Sequence, residues 1–209
     1  MGSLDLTQLM ILYARQGIRD WRNAPDRLKR RAREHLGVNI AERDREAEQT
    51  IHNFNNGGKK GGLRFIPMPK HQTAGIERCF FLPVRKIVSG GRETAGFELF
   101  LLVTSDRCLA FRFEPADVRP STHDYGHVQL CRTVLEKSLP IEAIPEWLPV
   151  SYPAFAISSS DPLQMFLCMT TAVHGYYGGV MKVLRDIFQN ANRPNDANSY
   201  FKELADILR

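Results

Sequence analysis

The N-terminal part of the chain is patterned as helices. Apolar side chains recur at helical intervals between residues 4 and 22, which predicts an amphipathic helix capped by Ser3. Residues 26 to 54 continue the helical pattern after Pro25, and Gly37 predicts a break or bend within this stretch. Interleaved charges of both signs in its rear half indicate a solvated helix surface.

A glycine-rich segment separates this helical region from a stretch patterned as strands. Residues 57 to 62, Gly-Gly-Lys-Lys-Gly-Gly, are predicted to form a hinge, because glycine gives the backbone little preference for a regular conformation. Beyond the hinge, runs rich in Phe, Val, Ile and Leu predict strands. The turns between the last three runs are short, which favours antiparallel neighbours. The four predicted strands are residues 63–68, 79–88, 97–104 and 108–114, and the segment 123–130 could add a fifth.

The C-terminal third is predicted to be helical after a proline-dense connector at residues 139–153. Asp161 is placed as a cap, with proline in the first turn and glutamine at the reciprocal capping position, so a helix should begin there and end before Gly175. Two more helices are predicted, one that runs to about residue 189 and one from 197 to 208.

Together these patterns predict an α+β fold. An antiparallel sheet of about five strands in the middle of the chain would be flanked by two long N-terminal helices and about three C-terminal helices. The predicted organisation is a helical N-terminal region at 1–56, a Gly/Lys-rich hinge at 57–62 and an α+β core domain at 63–209.

Composition favours an intracellular protein. The 209 residues are 43% hydrophobic, yet no run of eighteen apolar residues occurs, and the N-terminus lacks a basic segment followed by an apolar one. We therefore expect no membrane span and no signal peptide. The cysteines are widely spaced, without a Cys-x-x-Cys pair, which is typical of free thiols in a reducing compartment. We expect a cytoplasmic protein in which four thiols are free: Cys79, Cys108, Cys131 and Cys168.

A net charge of +5 permits an anionic partner without requiring one. Basic side chains crowd the end of the first predicted helix and the start of the second, where they could contact phosphates at helix surfaces. An ordinary solvated helix face would give the same pattern. The predicted nucleic-acid-binding residues are Arg19, Arg22, Arg27, Lys29, Arg30, Arg31 and Arg33.

The candidate chemistry lies in the segment 123–130, His-Asp-Tyr-Gly-His-Val-Gln-Leu. If this segment is extended, His123, Tyr125 and His127 point to one face, because successive side chains in a strand alternate. Pairing with the strand 108–114 would bring Arg112 and Glu114 to the same face.

Such a set has the groups that metal-independent RNA cleavage requires. We predict Glu114 or His123 as the base, His127 as the acid and Arg112 as the phosphate clamp, with Tyr125 as an orienting donor or a stacking platform. Solvated strand residues and structural histidines would produce the same pattern.

A metal site is a weaker alternative. His-x-x-x-His on a helix, with His174 or Cys131 as a third ligand, could bind zinc, but Gly126 weakens the helical interpretation. We predict no metal ligands and no cofactor.

The leading hypothesis is an intracellular nucleic-acid-binding protein, with RNA as the expected ligand and with possible ribonuclease activity at the sheet face. The first alternative is a non-catalytic subunit of a bacterial multi-protein assembly, whose N-terminal helices pack on a partner or on a second copy through Leu9, Tyr13 and Trp21. The second alternative is a metal-dependent hydrolase.

Overall fold

The protein was analysed as a computed structural model of the full chain. The structure describes residues 5–37, 39–56, 63–71, 74–87, 93–103, 108–114, 126–130, 155–156, 161–175 and 179–192, together with 198 and 202.

The first helix, α1, spans Leu6–Arg22 and begins two residues later than the apolar pattern predicts. Asp5 is its N-cap, and the Asp5 carboxylate accepts a hydrogen bond from the Thr7 backbone N–H at 3.1 Å. The expected cap, Ser3, lies outside the described residues. Asp5 can take the capping role because its carboxylate also suits the positive end of the helix dipole.

The second helical stretch is divided into two helices, as the glycine at position 37 predicts. Helix α2 spans Asp26–Leu36, and α3 spans Asp44–Asn55. Gly37 has a φ of 63°, a conformation that favours glycine and ends α2. The linker between the helices is tied to the start of the sheet region by a parallel bridge between Ile40 and Phe65.

The middle of the chain forms the predicted antiparallel meander. Its strands lie in chain order, and each pairs antiparallel with the next. Two of the connections, residues 88–92 and 104–107, are short and favour this order because they cannot carry the chain across a sheet. The described strands are β1 (Ile66–Pro67), β2 (Ile76–Ile87), β3 (Glu93–Val103), β4 (Cys108–Glu114), β5 (His127–Leu130) and β6 (Phe155–Ala156). The last, two-residue strand was not anticipated from the sequence.

Two helices of the C-terminal region are described, α4 (Pro162–His174) and α5 (Met181–Asn190). The predicted cap is confirmed, because the Asp161 carboxylate accepts from the Gln164 backbone N–H at 3.1 Å. Gly175 ends α4 with a φ of 69°. The predicted helix over 197–208 lies almost wholly outside the described residues.

Both faces of the sheet are covered by helices, and each face has its own hydrophobic cluster. Alternation along a strand divides the large side chains: Phe97 and Leu99 of β3 face one cluster, and Phe100 faces the other. The larger cluster packs α1, α3, α4 and α5 on the sheet, whereas the smaller one contains Trp21 and residues of α2.

The N-terminal helices therefore share their cores with the sheet. The hinge predicted at 57–62 lies outside the described residues, so a flexible boundary there stays a prediction. Among the described helices, none combines the length and the apolar character needed to cross a membrane.

Candidate functional site

The predicted pairing between the strand 108–114 and the segment 123–130, called the histidine segment below, is present at residues 127–130. Glu114 lies opposite His127, and Arg112 lies opposite Gln129. Arg112 also lies opposite Glu98 of β3, so a row of polar side chains crosses three strands on one face of the sheet. The set of Glu98, Arg112, Glu114 and His127 is called the sheet-face set below.

Close polar contacts join the sheet-face set. Arg112 Nε lies 3.2 Å from Glu114 Oε1, and Arg112 Nη2 lies 3.5 Å from Glu98 Oε1. His127 Nε2 lies 3.4 Å from Glu114 Oε2. Three of the five predicted catalytic residues therefore meet, as the alternation pattern predicts. The other two, His123 and Tyr125, lie outside the described residues.

Burial limits what the sheet-face set can do. His127 is only 1% exposed and Glu114 8% exposed, so a phosphodiester in solution does not reach them in this structure. Buried ionisable groups are costly unless they pair with one another. The arrangement is therefore typical of a structural polar network.

The predicted nucleic-acid-binding residues are mostly exposed at the surface of α1 and α2. The outward face of α2 and the end of α1 present a group that we call the basic face: Arg22, Arg27, Lys29, Arg30 and Arg33. The side chains of Arg27 and Arg30 are each 76% exposed. Arg19 is also exposed, on α1.

Carboxylates accompany the basic face. Arg27 pairs with Glu77 at 2.8 Å, and Arg33 pairs with Glu42 at 2.6 Å. Arg22 lies 3.3 Å from Asp44, and Arg30 lies 4.0 Å from Glu34. The cations are therefore partly neutralised, but each pair lies at or near the surface, where salt and water weaken it.

Arg31 differs from the other predicted phosphate-binding residues, since it is only 7% exposed. Its guanidinium bonds to the Glu77 carboxylate and to the Val103 carbonyl oxygen. Arg31 therefore joins α2 to the sheet, and a phosphate cannot reach it without disrupting that contact. Its position on the inward side of α2, beside Ala32, explains the difference.

A second polar site, which the sequence did not reveal, lies between α1, the segment before β2 and the region where α4 ends and α5 begins. It is a cleft of about 770 Å³, which we call the histidine cleft. Its lining residues are Gln16, Asp20, Pro69, Lys70, His71, His174, Gly175, Gly179, Lys182, Val183 and Asp186.

Two imidazoles form the polar inner wall of the histidine cleft. The ring centroids of His71 and His174 are 6.4 Å apart, with 68° between the ring planes. His174 Nε2 lies 2.7 Å from the hydroxyl of buried Tyr13, and His71 Nε2 lies 3.3 Å from Sγ of buried Cys79. Each ring is thus held in place by a buried partner.

Burial favours the neutral form of both imidazoles. Burial, with smaller effects of His71 and Arg78, lowers the pKa of His174 to about 4. Burial and the charge of Arg78 also lower the pKa of His71. Burial raises the pKa of the Cys79 thiol to about 12, and it raises the pKa of Tyr13 as well. A histidine in the last turn of a helix favours its charged form, but desolvation outweighs the helix dipole here.

Arg78, which precedes Cys79 in β2, is only 3% exposed. Its Nη2 donates to the Gly17 carbonyl oxygen at 3.0 Å, and its guanidinium carbon lies 5.9 Å from the centre of the Trp21 ring. Its Nε has no hydrogen-bond partner among the described residues. Burial lowers the pKa of Arg78, and the negative charge of Asp20 opposes that effect.

The sequence offers little signal for the histidine cleft, because its groups come from distant parts of the chain. Tyr13 and His174 are separated by 161 positions. Tyr13 fits the apolar stripe of α1, and His174 fits a helix end, so each has an ordinary local explanation. Among the described residues, no three His, Cys, Asp or Glu side chains gather as ligands for a metal ion.

Comparison with known proteins adds no functional information. No family model matches the chain, and neither a curated protein nor a solved structure matches it. The functional argument therefore rests on the geometry of this chain.

Proposed function

We propose that this protein binds nucleic acid through the basic face, with single-stranded RNA as the expected ligand. The observation that supports the proposal is the row of exposed arginines on one side of α2. Arg27, Arg30 and Arg33 recur at intervals of three along the helix, so their guanidinium groups lie on one surface. Phosphate contacts of this kind give affinity that depends on salt and little on sequence.

The ion pairs of the basic face are compatible with this role. Exposed pairs contribute about 0–1 kcal/mol to stability, so exchange of a carboxylate for a phosphate costs little. A guanidinium group has five N–H donors, and it can keep one partner while it binds another. Glu77 illustrates the excess of cations, since it pairs with both Arg27 and Arg31.

The proposal covers binding rather than cleavage. A ribonuclease that used Glu114 as base and His127 as acid would need the buried sheet-face set to open to solvent. Cleavage there stays a prediction from the sequence. Its test is RNA turnover by the wild type and by His127→Ala, and equal turnover would exclude His127 as the acid.

The rival hypothesis of a partner-binding subunit loses its main support. Leu9, Tyr13 and Trp21 were its expected contacts, but all three are buried against the protein's own sheet. The exposed surface of α1 and α2 is charged rather than apolar, which suits an anionic polymer better than a hydrophobic partner. The proposed setting is the cytoplasm, where free thiols persist.

The direct test is a binding titration at low salt with fluorescently labelled single-stranded RNA and DNA of mixed sequence. We expect the wild-type protein to bind with a Kd in the micromolar range or below. Arg30→Ala/Arg33→Ala should bind at least about tenfold more weakly, because each lost phosphate contact costs roughly 1 kcal/mol.

Arg185→Ala/Lys202→Ala is the matched control, since it removes the same charge from exposed positions that are not part of the basic face. The control should bind almost as tightly as the wild type. The absence of binding by the wild type, or equal losses in both double variants, would overturn the proposal.

A further inference from the structure

We infer that Glu42 and Asp44, the carboxylates on either side of the N-cap of α3, compete with phosphate for the basic face and limit its affinity for nucleic acid. This inference rests on the proposed function. Glu42 lies 2.6 Å from Arg33, and Asp44 lies 3.3 Å from Arg22. Each of these arginines therefore already has an anion beside it before a phosphate arrives.

The contact between Glu42 and Arg33 occupies donors that a phosphate would use. Arg33 Nε and Nη2 both donate to Glu42 Oε1, at 3.1 and 2.6 Å. These two nitrogens form one edge of the guanidinium fork, and such edges bind the oxygens of phosphates and carboxylates alike. About half of each side chain is exposed, so RNA can reach the pair. A phosphate at this edge of Arg33 has to displace the carboxylate.

The backbone keeps Glu42 beside α2. The N–H groups of Glu42 and Arg43 both donate to the Glu46 carboxylate, at 2.8 and 3.2 Å. Just before them, the N–H of fully buried Ala41 donates to the Phe65 carbonyl oxygen at 2.9 Å. The Glu42 backbone cannot withdraw from α2 without breaking these bonds. The displaced carboxylate therefore stays near the incoming phosphate, and like charges repel.

Glu77 differs from these two carboxylates. It lies 2.8 Å from Arg27, but it also bonds to the buried guanidinium of Arg31. One carboxylate between two guanidinium groups leaves a net positive charge, so Glu77 repels a phosphate less strongly. The competition is therefore assigned to the side of the basic face that meets α3.

The test compares the Kd for labelled single-stranded RNA at low salt between the wild type and Glu42→Gln/Asp44→Asn. The variant should bind about fivefold more tightly, because two negative charges are removed from beside the phosphates. The gain should shrink as the salt concentration rises, since exposed charges are screened.

Glu48→Gln/Asp186→Asn is the charge-matched control. Glu48 contacts Arg15, and Asp186 lies on α5, so neither carboxylate belongs to the pairs of the basic face. The control should change the Kd by less than about twofold. An equal gain in both double variants would overturn the proposal, because net charge alone would then explain it.

A second comparison isolates the competition for Arg33. Glu42→Gln should lower the Kd by about threefold in the wild-type background and by less than about 1.5-fold in an Arg33→Ala background. The guanidinium over which carboxylate and phosphate compete is absent in the second case. The same gain with and without Arg33 would overturn the proposal.

The outcomes separate this inference from the proposed function. If the wild type binds RNA and Glu42→Gln/Asp44→Asn binds no more tightly, the competition is overturned and the proposed function stands. If only the variant binds, the competition is supported and the proposed function is contradicted. If neither protein binds, both are overturned.

Discussion

Arg30 and Arg31 are neighbours in the chain but have opposite environments. Arg30 extends from the outward face of α2 and is 76% exposed at its side chain. Arg31, one residue further round the helix, is buried against Glu77 and the end of β3. From composition alone, both residues are predicted to bind phosphate. The side of the helix on which each residue lies distinguishes them.

This contrast predicts different effects on stability. Arg31→Ala should lower the free energy of unfolding by about 3 kcal/mol, because Glu77 and the Val103 carbonyl would lose their buried partner. Arg30→Ala should change it by less than about 0.5 kcal/mol. Urea denaturation of the two variants provides the comparison, and similar losses would contradict the assignment of Arg31 to the core.

His174 predicts how stability depends on pH. Its pKa is about 4 in the folded protein against 6.5 for the ordinary side chain, so between these values the unfolded chain binds more protons. Stability should therefore fall as the pH falls from 6.5 towards 4. The contribution of His174 is roughly 1.6 kcal/mol between pH 6.5 and pH 5.

The measurement is urea denaturation at several pH values for the wild type and for His174→Gln, which cannot titrate. The variant should show a shallower loss of stability at acid pH. An identical slope in wild type and His174→Gln would show that His174 is not the group responsible.

At the scale of elements, α1 and β1 approach each other closely at Gly17. A Cβ atom at this position would lie 1.8 Å from the Pro67 carbonyl oxygen, and that oxygen belongs to the backbone. The contact sets the distance between α1 and the sheet edge, and therefore one side of the histidine cleft.

Gly17→Ala should destabilise the protein by about 2–3 kcal/mol, because α1 must move away from β1. In an unconstrained helix the same change raises the free energy of unfolding by about 1 kcal/mol. The sign of the measured change in stability therefore tests the close contact at Gly17. Arg19→Ala, at an exposed position of the same helix, is the control. Thermal or urea denaturation that shows a gain for Gly17→Ala would contradict the close packing.

The sequence predicts the sheet better than it predicts the polar sites. Alternation in β4 and in the histidine segment was enough to predict that Glu114 and His127 share a face, because the period of a strand is fixed. The same pattern does not reveal whether a face of the sheet is covered, and His127 is buried. Burial depends on what covers a strand, which local periodicity does not encode.

At the scale of the whole molecule, the basic face and the histidine cleft both follow from how helices cover the sheet. The arginines of α2 point outward from the sheet face that this helix covers, whereas a cleft lies where α1 meets the end of α4 and the start of α5. The cleft was not predictable because its groups come from the first helix, the entry to β2 and the last third of the chain. Their convergence depends on tertiary packing.

The salt dependence of RNA binding tests the central claim most directly. If the basic face contacts about four phosphates, the logarithm of the binding constant should fall with the logarithm of salt concentration with a slope of about −3 for a single strand. Arg30→Ala/Arg33→Ala should reduce the magnitude of that slope by about 1.4, and Arg185→Ala/Lys202→Ala should leave it unchanged. A wild-type slope near zero, or the same slope in all three proteins, would contradict nucleic acid binding at the basic face.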